Sequence, residues 1–160
     1  MYMSCKGQNT SVETKKDSFP LAKTEYTILP FSENRGYYFK NVKEATLSTK
    51  ELIEIEELLQ KMIVAHNSAQ AKALVKYNKE NPLYQEEETG DELETNGFKR
   101  QYLPVINAKE EKEVWINFFC KVPKNLNWKT AAFSTMSGGN CYYRFKINLS
   151  TKEIYELQID

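Results

Sequence analysis

LSTKELIEIEELLQKMIVAHNSAQAKALVKY, residues 47 to 77, decides the fold class. Ser48 stands where a helix N-cap belongs, and Glu51 follows three residues later. In such a capping box the hydroxyl accepts from the third backbone N–H, and the carboxylate accepts from the N–H of the cap. Leu47 and Leu52 occupy the two positions of a hydrophobic staple. Leu52, Ile55, Leu59, Met62, His66, Ala69 and Ala73 then recur at spacings of three and four, widened by Leu58 and Ile63. Glu54, Glu56, Glu57, Gln60 and Lys61 take the far side. The pattern predicts a long amphipathic helix lying on a core. After His66 the stripe thins to small residues, so Asn67 and Ser68 are expected to mark a bend or an early end. Asn81-Pro82 closes the helix in any case, because the residue before a proline avoids the helical region.

Downstream the period changes from helical to two. Glu113 to Val122 alternates, with Val114, Ile116, Phe118, Cys120 and Val122 on one face and Trp115, Asn117, Phe119 and Lys121 on the other. Cys141 to Leu149 alternates in the same way, setting Tyr143, Phe145 and Ile147 against Tyr142, Arg144 and Lys146. Phe98 to Asn107 is aromatic and β-branched, with Pro104 pointing to an edge or a bulge. Ile154 to Ile159 supplies a fourth strand, with Tyr155, Leu157 and Ile159 expected inward. The turn at Ser150 to Glu153 is expected to carry a bulge and a positive φ near Lys152, since otherwise Glu156 would be buried. One long helix followed by four antiparallel strands is an α+β layer. In element order it resembles the cystatin-like fold, which implies a sheet curled around the helix.

The rest of the chain fills in the domain plan. Residues 1–20 read as a disordered tether and 21–160 as one α+β domain. Thr24 to Phe31 is expected to be extended, Ser32 to Gly36 a turn, and Tyr37-Tyr38-Phe39 a short strand. Glu80 to Gly97 carries seven carboxylates and reads as a solvated, mobile loop.

Composition bounds the function. Of 160 residues, 41% are hydrophobic and 12% aromatic, which is ample for a core. Lys plus Arg and Asp plus Glu both number 22, giving no electrostatic reason to expect nucleic acid. No apolar run reaches the roughly 18 residues of a membrane span. Near the N-terminus, Ser4-Cys5 followed by the polar stretch Asn9 to Ser18 resembles the end of a bacterial lipoprotein signal, with Cys5 as the lipid attachment site. The apolar region of such a signal would precede Met1. Lys99-Arg100-Gln101-Tyr102, Trp115-Ile116-Asn117-Phe118-Phe119-Cys120 and Gly138-Gly139-Asn140-Cys141-Tyr142-Tyr143 resemble a family of small uncharacterised bacterial envelope lipoproteins. That resemblance covers about the last 110 residues. It implies a lipid-anchored address in the periplasm or at the outer membrane, against a cytoplasmic alternative, and implies no chemistry.

Catalytic patterns are sparse. A thiol hydrolase would need Cys120 or Cys141 beside His66, the only histidine, with exposure and a lowered thiol pKa that nothing in the sequence supplies. Zinc spacings of the C-x-x-C and H-x₃-H kind are absent, the acidic loop lacks the calcium-loop pattern, and Gly138-Gly139 is no phosphate loop. No cofactor, metal or catalytic residue is therefore expected. A cystatin-like protease inhibitor is the main alternative, but its Q-x-V-x-G motif does not occur. What remains is the outer sheet face, where Trp115, Phe119, Tyr142, Arg144 and Lys146 should stand together. Such a face is either an interaction site for a protein or small-molecule ligand, or is covered by N-terminal strands, by Pro123 to Asn140, or by a second copy of the chain. The expected function is a non-enzymatic binding or structural module at a bacterial cell envelope. Cys120 and Cys141 end and begin adjacent alternations, so they should be neighbours in the core, close enough for a disulfide to be possible.

Overall fold

The computed structural model describes residues 19–160 except Thr24 and Met136. The expected tether, Cys5 included, lies outside the described residues over positions 1–18. The architecture is mixed α+β. Strands β1 (Tyr26–Ile28), β2 (Lys43–Glu44), β3 (Lys99–Ile106), β4 (Lys112–Phe119), β5 (Tyr142–Asn148) and β6 (Glu153–Ile159) make one sheet, with helices α1 (Phe31–Tyr38) and α2 (Thr49–Glu80) on opposite faces.

The capping box forms as its residues dictate. Ser48 Oγ accepts from Glu51 N at 3.2 Å, and Ser48 N donates to Glu51 Oε2 at 2.8 Å. From that cap α2 runs 32 residues without a break at Asn67 or Ser68. Its first half buries Leu52, Ile55, Leu59 and Ile63 against Tyr102, Val114, Ile116, Phe118, Tyr143, Phe145 and Ile147. No residue of α2 beyond Ile63 is buried. A helix of that length spans roughly 48 Å, whereas strands of seven or eight residues span roughly 25 Å. The second half therefore overhangs the sheet.

The overhang explains the polar stripe. His66, Asn67, Gln70 and Asn78 hold the chain that returns along the helix. Asn78 brackets the backbone of Glu86, Gln70 Oε1 accepts from the Thr89 hydroxyl, and Asn67 brackets the backbone of Leu93. The segment expected to be a mobile loop is exposed along most of its length but fastened at intervals, and it re-enters the core at Leu93. Amide side chains at helical spacing make this possible, because each can both donate to and accept from a strand-like backbone.

The sheet has six strands and mixed direction, which corrects the expectation of four antiparallel ones. Strands β3 to β6 do pair antiparallel in chain order. On the free edge of β3, β1 adds in parallel and β2 antiparallel. Tyr102 C=O on that edge accepts from Leu29 N, so the N–H that Pro104 lacks would also point there, into the gap between β1 and β2. Residues 31–38 form a helix rather than a turn and strand. Asn34 Nδ2 donates both to the Pro30 carbonyl and, across the sheet face, to that of Thr130. Packing of Phe31 and Tyr38 on the sheet outweighs a sequence with little helical periodicity.

The last hairpin needed a bulge, and the structure puts it elsewhere. Residues 149–152 form the loop, with Lys152 at φ 64° and Asn148 Oδ1 accepting from the N–H groups of Ser150 and Thr151. Ile154 pairs with Ile147 and points to α2, and Tyr155 pairs with Lys146 on the outer face, which reverses the expected orientation of Tyr155. The extra residue is Glu156, at φ 54°, after which Leu157 and Ile159 face the core. A bulge inside the strand restores the alternation as well as one in the turn, and parity alone cannot choose between them.

Candidate functional site

The five outer-face residues do share one side of the sheet. Trp115 pairs with Lys146, Asn117 with Arg144, and Phe119 with Tyr142. They divide into a covered part and an open part. Trp115 and Phe119 are 2% and 0% exposed, so neither is a free aromatic platform. Tyr38 of α1 stacks on Trp115 at 3.8 Å, and Trp128 and Phe133 of the long connection close edge-on over Phe119 at 5.5 and 4.8 Å. Tyr142 packs at the rim of the same cluster through Phe133. The chain's own second layer covers this part of the face.

Buried amides fasten that layer. Asn117 Nδ2 donates to Gln101 Oε1 and to the Phe133 carbonyl, both at 3.0 Å. Gln101 Nε2 donates to the carbonyls of Trp128 and Ala131. Asn34 Oδ1 accepts from Ala132 N. At the base of the connection a disulfide joins Cys120 to Cys141, with Cα atoms 5.1 Å apart. The two cysteines are neighbours as expected, but Cys120 is exposed at the sheet's end rather than in the core, because β4 stops at Phe119. The roles of Gln101, Asn34 and Asn117 went unread in the sequence. For Asn117 the available signal was an amide at an alternating strand position between Trp115 and Phe119, a place where water could not satisfy it.

The open part is a cleft of about 290 Å³ between α1 and the β5–β6 ribbon. Tyr37, Tyr38 and Trp115 form its aromatic wall, and Arg144, Lys146 and Glu156 its charged side. Arg144 is held by Asp160 Oδ1 at 2.6 Å and by Gln158 Oε1 at 2.9 Å. Lys146 Nζ meets Glu156 Oε2 at 2.7 Å and lies 4.9 Å from the Phe39 ring. The left-handed backbone at Glu156 puts its carboxylate there. A non-glycine residue in that region is strained, and bulges of this kind re-aim side chains. Burial raises the pKa of the Tyr38 hydroxyl, against the opposing effect of nearby Arg144, so the phenol stays protonated at neutral pH. The cleft thus offers cationic donors, a phenol and an aromatic wall.

Other reactive types lie apart. Both strand cysteines are spent in the disulfide, and His66 Nε2 sits 2.7 Å from the Asp91 carbonyl. Among the described residues no cluster of His, Cys, Asp or Glu could hold a metal ion. No described helix is long and apolar enough to cross a membrane. Beneath α2, Arg100 is buried against Glu56 at 3.1 Å and over the Phe118 ring, while the Tyr102 hydroxyl donates to Glu56 Oε1.

No family model, curated protein or solved structure matches this chain. The lipoprotein and cystatin-like resemblances therefore rest on sequence motifs and element order alone.

Proposed function

We propose that the chain is an exported, non-catalytic binding module, tethered at a bacterial cell envelope by lipid on Cys5. The Cys120–Cys141 disulfide carries this reading. Such bonds persist in oxidising compartments and are rare in a reducing cytosol. With those two cysteines paired, Cys5 is the one left for modification, since the sequence has three. Within this reading the cleft beside Tyr38, Arg144 and Lys146 is the binding face, and the covered aromatics behind it hold its shape. The α2-on-sheet layer keeps a cystatin-like inhibitor as the alternative, with no motif to support it; a papain assay is expected to show no inhibition.

The test is metabolic labelling with a palmitate analogue in the native host, with the protein expressed from its own locus. The wild-type chain is expected to take the label and Cys5→Ser to lose it. An unlabelled wild-type protein, or two free thiols at Cys120 and Cys141 in unfolded, unreduced material, would reject the reading.

A further inference from the structure

The overhanging half of α2 and the chain returning along it enclose a second, different surface. Ala73, Leu74 and Tyr77 on the helix and Glu86, Glu88 and Thr89 on the return line a groove of about 320 Å³. Its floor is apolar and its rim carries two carboxylates. Tyr77 on its floor is 43% exposed, and Leu83 and Tyr84, between the helix end and the return, are 87% and 73% exposed. A protein that keeps such groups in water next to a shaped groove is presenting a contact surface.

The charge of the surroundings selects the occupant. Glu80 at the end of the helix and Glu86, Glu87, Glu88, Asp91, Glu92 and Glu94 along the return surround the groove. Among the described residues none of them takes part in an ion pair, and neither do Lys72, Lys76 and Lys79 on the helix. An anionic membrane surface would be repelled. Apolar contact flanked by carboxylates that outnumber the neighbouring lysines seven to three fits an apolar segment bearing lysine or arginine. The hydrogen bonds that Asn67 and Asn78 donate to the return, and the one that Gln70 accepts from Thr89, keep the groove's two walls in register, so a partner would meet a pre-formed site.

We infer that the groove between the overhanging end of α2 and residues 86–89 docks a basic, apolar segment of another protein. This surface is independent of the cleft over Trp115 and of the lipid tether.

The experiment uses the full chain and a synthetic amphipathic leucine–lysine peptide, with its leucine–glutamate counterpart as control, measured by titration calorimetry. The lysine peptide binds and the glutamate peptide does not. Reversing the rim charges with Glu86→Lys and Glu88→Lys weakens binding by about tenfold or more. Reversing two exposed carboxylates elsewhere, Glu33→Lys and Glu44→Lys, leaves it unchanged. Tyr77→Ala, at a half-exposed position that should not affect folding, weakens it with the helical circular dichroism intact. Equal losses in the two charge-reversed proteins would overturn the inference, because the attraction would then be one of bulk charge. So would full binding by Tyr77→Ala. A dimer of the free protein that Glu86→Lys and Glu88→Lys dissociate would also overturn it, by making a second copy the occupant.

Discussion

Arg100 is the most consequential single side chain away from the surface. It is 3% exposed and faces Glu56 across the α2–sheet interface. Its Nε has no acceptor among the described residues, so Glu56 is its main compensation. Glu56→Ala should cost about 3–5 kcal/mol, the penalty of stranding a buried cation. Replacing both residues by methionine should cost much less, and urea unfolding of the two variants distinguishes these outcomes. Glu56 also gives stability a pH dependence. Burial raises its pKa above the usual 4.5, while Arg100 and Tyr102 pull the other way. The folded state then binds this proton more tightly than the unfolded chain. Its contribution is fully present below the ordinary value and is lost as pH rises through the folded one. Relative to Glu56→Gln, the wild-type protein should lose stability as pH climbs from 4.5. A difference of the opposite sign would show that the pairing with Arg100 outweighs burial.

At the scale of elements, the start of α2 is the best-specified feature. Ser48→Ala should cost about 1 kcal/mol. Burial pushes the Glu51 carboxyl up, but Lys112 at 2.5 Å and the bonds from Ser48 outweigh it, leaving the pKa below the usual range. That stabilisation is present above the ordinary carboxylate value and is lost as pH falls through the lowered one. Lys112→Met should therefore be less stable than the wild-type protein at neutral pH and lose less stability on acidification, by denaturant midpoints between neutral pH and acid. The end of α2 was much less legible than its start. A stripe of His66, Asn67, Gln70 and Asn78 looks like the decay of a core-facing helix until the returning backbone those amides bind is known. The same blindness applies to 31–38, whose helix depends on Trp115 and Leu103 for a surface to lie on. Hydrogen exchange should separate the two halves of α2, with amides beyond Ile63 exchanging much faster than those between Leu52 and Ile63. Uniform protection would mean that the overhang is as stable as the core.

For the molecule as a whole, the alternation in β4 and β5 gave the pairing and the faces, and with them the neighbouring cysteines. It could not reveal which chain segments would cover Trp115 and Phe119, because coverage depends on contacts distant in sequence. Opening Cys120–Cys141 should lower stability by about 3 kcal/mol, the entropy regained by a loop of that size in the unfolded chain. Urea midpoints with and without dithiothreitol measure this, and no change would mean that the amide bonds of Gln101, Asn117 and Asn34 hold the connection by themselves. The sheet's free edge imposes an order of events. Tyr26 finds its place beside Arg100, and Lys43 beside Ile106. A ribosome releases the first member of each pair long before the second. Phe31, Tyr38 and Phe39 must therefore wait, exposed, while roughly half of the polypeptide is made. The nascent chain has apolar surface to protect during that interval, and a holding chaperone, or passage through a translocation channel before folding, would supply the protection.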